Sequence, residues 1–317
     1  MSGRHERRPA SQGPRRERDR RALRLALAIT GAFLVIEAVG GLVSGSLALL
    51  ADAGHMATDL AGLGLALFAL HLAERSPTPG KTYGWQRTEI LAALANGTVL
   101  CVIAVWIAVE AVRRFAAPPA IATGPMLAVA AAGLVANLLA AGVLRGSSHG
   151  SLNLHAAFLH VLTDALGSIG AILAALAILL FDWRVADPLV AVAIAALVLA
   201  SAWRLLRASV DVLMEGTPEH VDLGVLARAM REVPGVLDVH DVHVWTLTSG
   251  YHAMTAHVEV SGGSDGNAVL HELVEIARQR FEIDHTTFQL ELRAGDEAAS
   301  PGCAAEAGSI CVPVRAG

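Results

Sequence analysis

Six long runs of apolar residues fill the first two thirds of the chain, and short polar or Pro/Gly-containing segments separate them. The runs cover residues 22–43, 47–73, 90–115, 126–144, 152–181 and 188–206. A helix needs about 20 apolar residues to cross the roughly 30 Å hydrocarbon core of a bilayer, and each run reaches about that length. The pattern therefore predicts six transmembrane helices, which together form one transmembrane domain over residues 22–208.

The pattern changes after the sixth run, where segments with helical spacing and β-rich segments follow one another. The predicted helices and strands, in chain order, are helix 221–233, strand 236–248, strand 251–260, helix 267–281 and strand 286–292. This αββαβ order predicts a small α+β domain over residues 215–293, in which two helices cover one face of a three-stranded sheet. An arginine-rich tail (residues 1–21) and a flexible Gly/Ala-rich tail (residues 294–317) complete the expected organisation.

The composition agrees with a membrane protein. Charged residues make up 17% of the chain, against about 25% in soluble globular proteins, and the mean hydropathy is +0.52. These values exclude a disordered chain and argue against an ordinary cytosolic enzyme. The three cysteines, Cys101, Cys303 and Cys311, suggest no disulfide framework.

The basic residues predict the orientation of the spans. If the N-terminus is cytoplasmic, fifteen arginines and lysines fall on the cytoplasmic side, and only Arg113, Arg114 and Arg184 fall on the other. The positive-inside rule then places both termini in the cytoplasm. We expect an integral protein of a bacterial inner membrane, whose arginine-rich tail contacts anionic lipid rather than nucleic acid.

Two of the predicted spans carry the same polar motif, H-x-x-T-D-x-x-G. It begins at His55 in the second span and at His160 in the fifth, 105 residues later, and its carboxylates are Asp59 and Asp164. Residues i and i+4 share one face of a helix, so each span presents an imidazole and a carboxylate together. Two such helices supply a tetrahedral N₂O₂ ligand set, which suits Zn²⁺. A structural hydrogen bond between neighbouring turns is the alternative for either span alone.

Four other polar residues of the predicted spans carry less specific signals. Glu37, Asn96 and Asn137 line a cavity or bond between helices, and for the asparagines we favour the structural role. Asp52 lies three residues before His55 and is either a vestibule group or a carboxylate at a helix start.

Several sequence blocks together resemble one family. They are L-A-D-A-G-H-M-A-T-D ending at Asp59, T-Y-G-W-Q-R from Thr82, S-L-N-L-H-A-A-F-L-H-V-L-T-D-A-L-G from Ser151, V-H-V-W-T-L from Val242, A-H-V-E from Ala256 and H-T-T-F-Q-L-E from His285. In this order they resemble the cation diffusion facilitator family, and its zinc-exporting branch most closely, over about residues 20–293.

The resemblance implies a homodimer with six spans per subunit and a cytoplasmic, metallochaperone-like domain. It implies a transporter, not an enzyme, with no catalytic cofactor, which exports a divalent transition metal from the cytosol in exchange for protons. The family's transport site corresponds to His55, Asp59, His160 and Asp164, and histidine at the first position resembles the members that prefer Zn²⁺.

The resemblance also suggests a second metal site, in the cytoplasmic domain. His240, His257 and Glu291 fall at or near family ligand positions, and His285 is a further candidate. Strand alternation predicts His240 and His243 on opposite faces of the sheet unless a bulge intervenes. Surface histidines that bind no metal are the alternative.

Because metal binds only deprotonated ligands, filling the transport site releases protons and protonation releases metal. This predicts an antiporter that alternates access by rocking its spans around the site. The sequence leaves two alternatives open, namely export of another divalent metal (Co²⁺, Ni²⁺, Cd²⁺ or Fe²⁺) and a zinc-sensing membrane protein that transports nothing. A metalloprotease or an ATP-driven pump is disfavoured, because the chain has neither an H-E-x-x-H motif nor a P-loop.

Overall fold

The fold is described from a computed structural model, which covers residues 12–145 and 152–293, with side chains for residues 25–145 and 158–293. Residues 1–11, the segment 146–151 and the predicted C-terminal tail, with Cys303 and Cys311, lie outside the described residues.

Six long helices correspond to the six apolar runs. They are α1 (Gln12–Ser44), α2 (Leu47–Ala73), α3 (Thr88–Ala116), α4 (Thr123–Arg145), α5 (Leu152–Phe181) and α6 (Ala186–Leu213). Each contains a stretch long and apolar enough to cross a membrane, as predicted. Helix α1 begins ten residues before the predicted span, because arginine and glutamate, which fill most of these positions, are good helix formers.

The chain divides into two compact units. The first is formed by the described parts of residues 1–65 and 95–205, and the second by the described parts of residues 66–94 and 206–317. Helices α2 and α3 therefore contribute residues to both units.

Small residues allow the helices of the first unit to approach closely. Helix α4 packs against α1 and α5, and Ala130, Ala171 and Ala174 are buried where they meet. A Cβ at Gly133 would lie 2.5 Å from the Phe33 ring of α1, so only glycine fits there. Helix packing through small residues is typical of membrane proteins, in which apolar surface alone does not drive association.

The start of α2 is fixed by a carboxylate from another helix. Asp187, in the first turn of α6, is fully buried and accepts hydrogen bonds from Ser46 Oγ (2.5 Å) and from the backbone N–H groups of Leu47 (2.8 Å) and Ala48 (3.1 Å). It therefore caps α2. Arg114 Nη1 of α3 lies 3.8 Å from the same carboxylate, which ties three helices together at this point.

The second unit contains the predicted αββαβ domain. Its elements are α7 (Leu223–Arg231), β1 (Val236–Thr248), β2 (Tyr251–Ser261), α8 (Gly266–Phe281) and β3 (His285–Arg293). The sheet order is β1-β2-β3, with β1 and β2 antiparallel and β2 and β3 parallel. Asp222 and Asp265 cap the two helices, and α7 and α8 bury a core with one face of the sheet.

A β-bulge in β1 overturns the simple alternation expected for its histidines. His240 pairs with His257, whereas His243 pairs with Thr255, so one extra residue lies between the two pairings. Asp241 lies at this bulge and has a left-handed φ of 51°. Because positions 255 and 257 share one face of β2, the bulge brings His240 and His243 to the same face, opposite the helices.

The segment between α2 and α3 contacts the α+β domain within the second unit. Arg87 pairs with Glu215 at 2.9 Å, and Glu89 accepts hydrogen bonds from the hydroxyl groups of Thr248 and Ser249 in the β1–β2 turn. These contacts join the first turn of α3 to the sheet.

Candidate metal centre

The four motif residues of α2 and α5 lie together. His160 Nε2 is 3.0 Å from Asp59 Oδ2 and 3.8 Å from Asp164 Oδ2, and His55 Nε2 is 3.4 Å from Asp59 Oδ2 and 4.0 Å from Asp164 Oδ1. Suitable ligand atoms of His55, Asp59 and His160 all lie within 4.8 Å of one another. Asp164 is not part of this group of three, but its carboxylate oxygens lie within 4.0 Å of both imidazoles.

The pairing across the helices follows from their opposite directions. In the predicted topology consecutive spans alternate in direction, so α2 and α5, three spans apart, are expected to run antiparallel. An i,i+4 His–Asp pair on each then puts the histidine of one helix level with the aspartate of the other. The His160–Asp59 and His55–Asp164 contacts are these two cross pairs.

Burial of the charged groups of this centre costs free energy unless a cation is bound. Asp164 is 3% exposed, and neither of its carboxylate oxygens has a hydrogen-bond partner. His55 Nδ1 is also buried and unpartnered. A buried charge is tolerated only when it is paired or coordinates a metal, so the orphaned atoms fit a site that binds a cation.

An apolar cavity of about 300 Å³ adjoins the centre. Its walls are mainly aliphatic side chains of α1, α2 and α5, and Asp59, His160 and Asp164 supply its charged groups. The ligands therefore border a space large enough for a partly hydrated ion, and Asp164 lies behind the more exposed His160.

The remaining motif residues serve the helices rather than the ligand set. Thr58 Oγ1 donates to the carbonyl of His55 (2.7 Å), and Thr163 Oγ1 donates to that of Leu159 (3.0 Å). Each hydroxyl is therefore satisfied within its own helix.

The motif glycines make room for polar side chains of other elements. A Cβ at Gly62 would lie 2.6 Å from the amide of Asn96, and a Cβ at Gly167 would lie 3.1 Å from both carboxylate oxygens of Asp52. Asn137 Nδ2 donates to Ser168 Oγ at 3.4 Å, between α4 and α5. Asn137 thus bonds between helices, and Asn96 packs against Gly62.

Comparison with known proteins identifies the family. A family model described as "Cation efflux transmembrane domain" matches residues 23–214, and one described as "Cation efflux protein, cytoplasmic domain" matches residues 218–293. The chain belongs to the cation efflux family, the cation diffusion facilitators.

Three curated relatives cover most of this cation efflux protein. One named zinc transporter ZitB, from Shigella flexneri, is 47% identical over 86% of the chain and 87% of its own length. One from Bacillus subtilis (strain 168), named cadmium, cobalt and zinc/H(+)-K(+) antiporter, is 43% identical over 84% and 86%. The metal cation efflux system protein CzcD of Cupriavidus metallidurans is 41% identical over 88% of each. All three are named as transport proteins, and the chain is accordingly not an enzyme.

The α+β domain of this cation efflux protein holds a second cluster. His257 Nδ1 lies 2.8 Å from Glu291 Oε1, and His240 Nε2 lies 3.5 Å from Glu291 Oε2. Ligand atoms of all three lie within 4.8 Å of one another, and His240 Nδ1 is buried without a partner. Two imidazoles and a carboxylate fit three positions of a tetrahedral zinc site.

The bulge adds two groups that the sequence pattern did not predict. Asp241 Oδ1 lies 2.9 Å from His243 Nε2, and Asp241 Oδ2 lies 3.8 Å from His257 Nε2. A left-handed residue is invisible to hydrophobic periodicity, and aspartate's tolerance of that conformation was the one available signal.

His285 does not join this cluster. It pairs with Ala253 in the sheet, four residues from His257, or about 13 Å at 3.3 Å per residue. Its ring instead contacts Tyr83, with ring centroids 5.7 Å apart. His285 lies at the opposite end of β3 from Glu291. The expectation that it joins the ligands of this cluster is therefore wrong.

Proposed function

We propose that the protein exports Zn²⁺ from the cytosol in exchange for protons, and that Zn²⁺ binds between α2 and α5. The observation that carries the proposal is the convergence of His55, Asp59, His160 and Asp164 beside a cavity. The N₂O₂ set supplies the geometry that zinc prefers, and its two carboxylates neutralise the dication. A relative that is 47% identical is named a zinc transporter, and another is named an antiporter.

Proton exchange follows from the ligands themselves. Imidazole and carboxylate bind metal only when deprotonated, and histidine titrates near neutral pH. Zn²⁺ arriving from the cytosol displaces protons, and protons arriving from the opposite side displace Zn²⁺. Rocking of the spans around the centre exposes it to each side in turn.

The remaining features of the proposal concern topology and assembly. We place residues 22–208 in a bacterial inner membrane, with both termini and residues 215–293 in the cytoplasm, because fifteen of eighteen counted basic residues then lie inside. We expect a homodimer, since the model matching residues 218–293 bears the name ZT dimer. His240, His257 and Glu291 would hold a resident Zn²⁺ that orders this domain.

The test is radiozinc uptake into inverted membrane vesicles that carry an imposed pH gradient. Asp164→Asn keeps the side-chain size and removes the buried charge, so uptake should fall to background. Asp182→Asn is the matched control, because Asp182 is an exposed loop residue paired with Arg184, and its uptake should equal that of the wild type.

Two results would count against the proposal. If Asp164→Asn takes up zinc at the wild-type rate, Asp164 is not part of the transport site. If uptake continues after an ionophore collapses the pH gradient, transport is not coupled to protons. Competition by Co²⁺, Ni²⁺, Cd²⁺ and Fe²⁺ in the same vesicles tests the alternative substrates, of which cadmium and cobalt appear in the name of the Bacillus subtilis relative.

A further inference from the structure

Helix α1 supplies a large part of the wall of the cavity beside the four proposed ligands, although none of its residues belongs to the ligand set. The α1 residues that line the cavity are Ala26, Leu27, Thr30, Gly31 and Leu34. Their spacing of three and four residues places them on one face of the helix. The cavity is therefore a space between this face of α1 and the helices α2 and α5, which carry the ligands.

The cavity extends from the ligands towards the end at which α1 begins. Helix α1 ends two residues before Leu47, where α2 begins, so the two helices form an antiparallel pair. Their levels are matched where a Cβ at Gly31 of α1 would lie 4.0 Å from Leu60 Cδ2 of α2. Leu27, one turn before Gly31, therefore lies farther from the α1–α2 connection than the ligand Asp59 does.

The exposure of the helices shows the end from which the ligands can be reached. The His160 side chain of α5 is 46% exposed, against 2% for the Asp164 side chain one turn later. In α2, six of the seven residues 47–53 are buried, whereas none of residues 59–65 is buried. The packing is therefore close near the α1–α2 connection, and the ligands are reached from the opposite end, at which α1 begins.

The wall offers an entering cation very few polar groups. Among the described residues that line the cavity, Thr30 is the only polar one besides the charged ligands. A threonine within a helix often donates to a carbonyl of its own helix, as Thr58 and Thr163 do, but Thr30 forms no hydrogen bond with the described residues. Its hydroxyl is thus available to water, and a water bonded to a protein group is nearly as favourable as a direct hydrogen bond.

We infer that residues 26–34 of α1 wall the cytoplasmic entry route to the zinc site, that Gly31 keeps this route open, and that the Thr30 hydroxyl binds water of the partly hydrated ion on its way to the ligands. This inference rests on the proposed function and its topology, in which the end where α1 begins faces the cytoplasm. It gives α1 a part in transport that the ligand motif of α2 and α5 does not reveal. Thr30 is a positioning residue and not one of the final ligands.

The first test fills the cavity from α1, with radiozinc uptake into inverted vesicles as the measurement. A Cβ at Gly31 meets no atom nearer than Leu60 Cδ2 at 4.0 Å, so Gly31→Ala should transport at the wild-type rate. Gly31→Trp places an indole ring in the route, and uptake should fall by about tenfold or more. Gly64→Trp is the control, because a Cβ at Gly64 of α2 also meets nothing within 4 Å and Gly64 does not line the cavity. Its uptake should equal that of the wild type.

The second test separates the hydroxyl group of Thr30 from its shape. Thr30→Val keeps the size of the side chain and removes the hydroxyl, so the uptake rate should fall by about threefold, while the equilibrium zinc affinity of the purified protein stays unchanged. Thr30→Ser keeps the hydroxyl and should retain the wild-type rate. If Thr30→Val is as fast as the wild type, or Thr30→Ser is as slow as Thr30→Val, the hydroxyl does not have this role.

Thiol labelling keeps the route testable even if Gly31→Trp does not fold. Gly31→Cys, in a chain whose three native cysteines are replaced by serine, should react with an impermeant methanethiosulfonate in inverted vesicles and not in intact spheroplasts, and ZnCl₂ should slow the reaction. If this cysteine does not react in inverted vesicles, or if folded Gly31→Trp takes up zinc at the wild-type rate, the inference is wrong and the proposed function stands. If the wild type itself takes up no zinc, the proposed function is wrong.

Discussion

At the scale of single residues, the positions that matter most in the membrane are polar groups and the glycines beside them. The sequence predicted His55, Asp59, His160 and Asp164, because an i,i+4 repeat of polar residues in two apolar spans has few structural explanations. It did not predict that Asp52 would lie against Gly167. That contact depends on how α2 and α5 pack, which periodicity within either helix does not encode.

Gly167→Ala should lower zinc transport several-fold. Its new Cβ would lie 3.1 Å from both Asp52 oxygens, so the buried carboxyl group has to shift away from α5. Vesicle uptake measures the effect. Gly64→Ala in α2 is the control, because a Cβ there meets nothing within 4 Å, and equal rates in the two variants would contradict the packing argument.

His252 should make the α+β domain less stable in mild acid. Burial lowers the pKa of His252, and the neighbouring His220 lowers it further. The unfolded chain, with a pKa of about 6.5, therefore binds more protons than the folded chain as the pH falls below that value, and stability is lost through this window. Thermal unfolding of the full-length protein between pH 8 and 5 measures it, and His252→Gln should reduce the pH dependence. If the variant keeps the wild-type pH dependence of stability, His252 is not its cause.

At the scale of elements, the hydrophobic pattern predicted every helix and strand among the residues that the structure describes, but not what fixes their ends. All six spans and the αββαβ order followed from apolar runs and their periods. The capping of α2 by Asp187 did not, because the two lie 140 residues apart in sequence. Likewise, the bulge at Asp241 changes the face of a histidine through one backbone angle.

Asp187→Asn should destabilise the protein by about 1–3 kcal/mol, the cost of leaving buried hydrogen-bonding groups unsatisfied. The amide cannot accept on both sides as the carboxylate does from Ser46 Oγ and the N–H groups of Leu47 and Ala48. Thermal unfolding in detergent checks the prediction. Asp182→Asn changes an exposed residue in the same way, and a matching loss in that variant would argue against a specific cap.

At the scale of the whole molecule, the charge pattern predicts the topology, and the sequence predicted the cluster of the second unit only in part. The basic residues predict that both ends of the chain lie on one side of the membrane. His240, His257 and Glu291 come together as the family resemblance implied, but His285 lies elsewhere, because a ligand position inferred from a motif gives no distance along the strand.

Single cysteines introduced into a cysteine-free chain should report opposite sides of the membrane. Gly80→Cys, in the exposed segment between α2 and α3, should react with an impermeant maleimide only in inverted vesicles. Ala117→Cys, exposed after α3, should react only in intact spheroplasts. Labelling of both positions from the same side would contradict the proposed topology.

The cross-paired ligands have a consequence for the direction of transport. Two antiparallel helices with the same motif are related by an approximate two-fold axis in the plane of the membrane, which passes between the ligands. An ion bound there would meet one imidazole and one carboxylate from each helix, and of these His160 is the most exposed and Asp164 the most buried. The surroundings break this symmetry, since Gly62 lies against the neutral amide of Asn96 and Gly167 lies against the acid Asp52. In the proposed antiporter, gradients would set the direction of net flow, and we expect this unequal charge to make the affinity for the ion differ between the two faces.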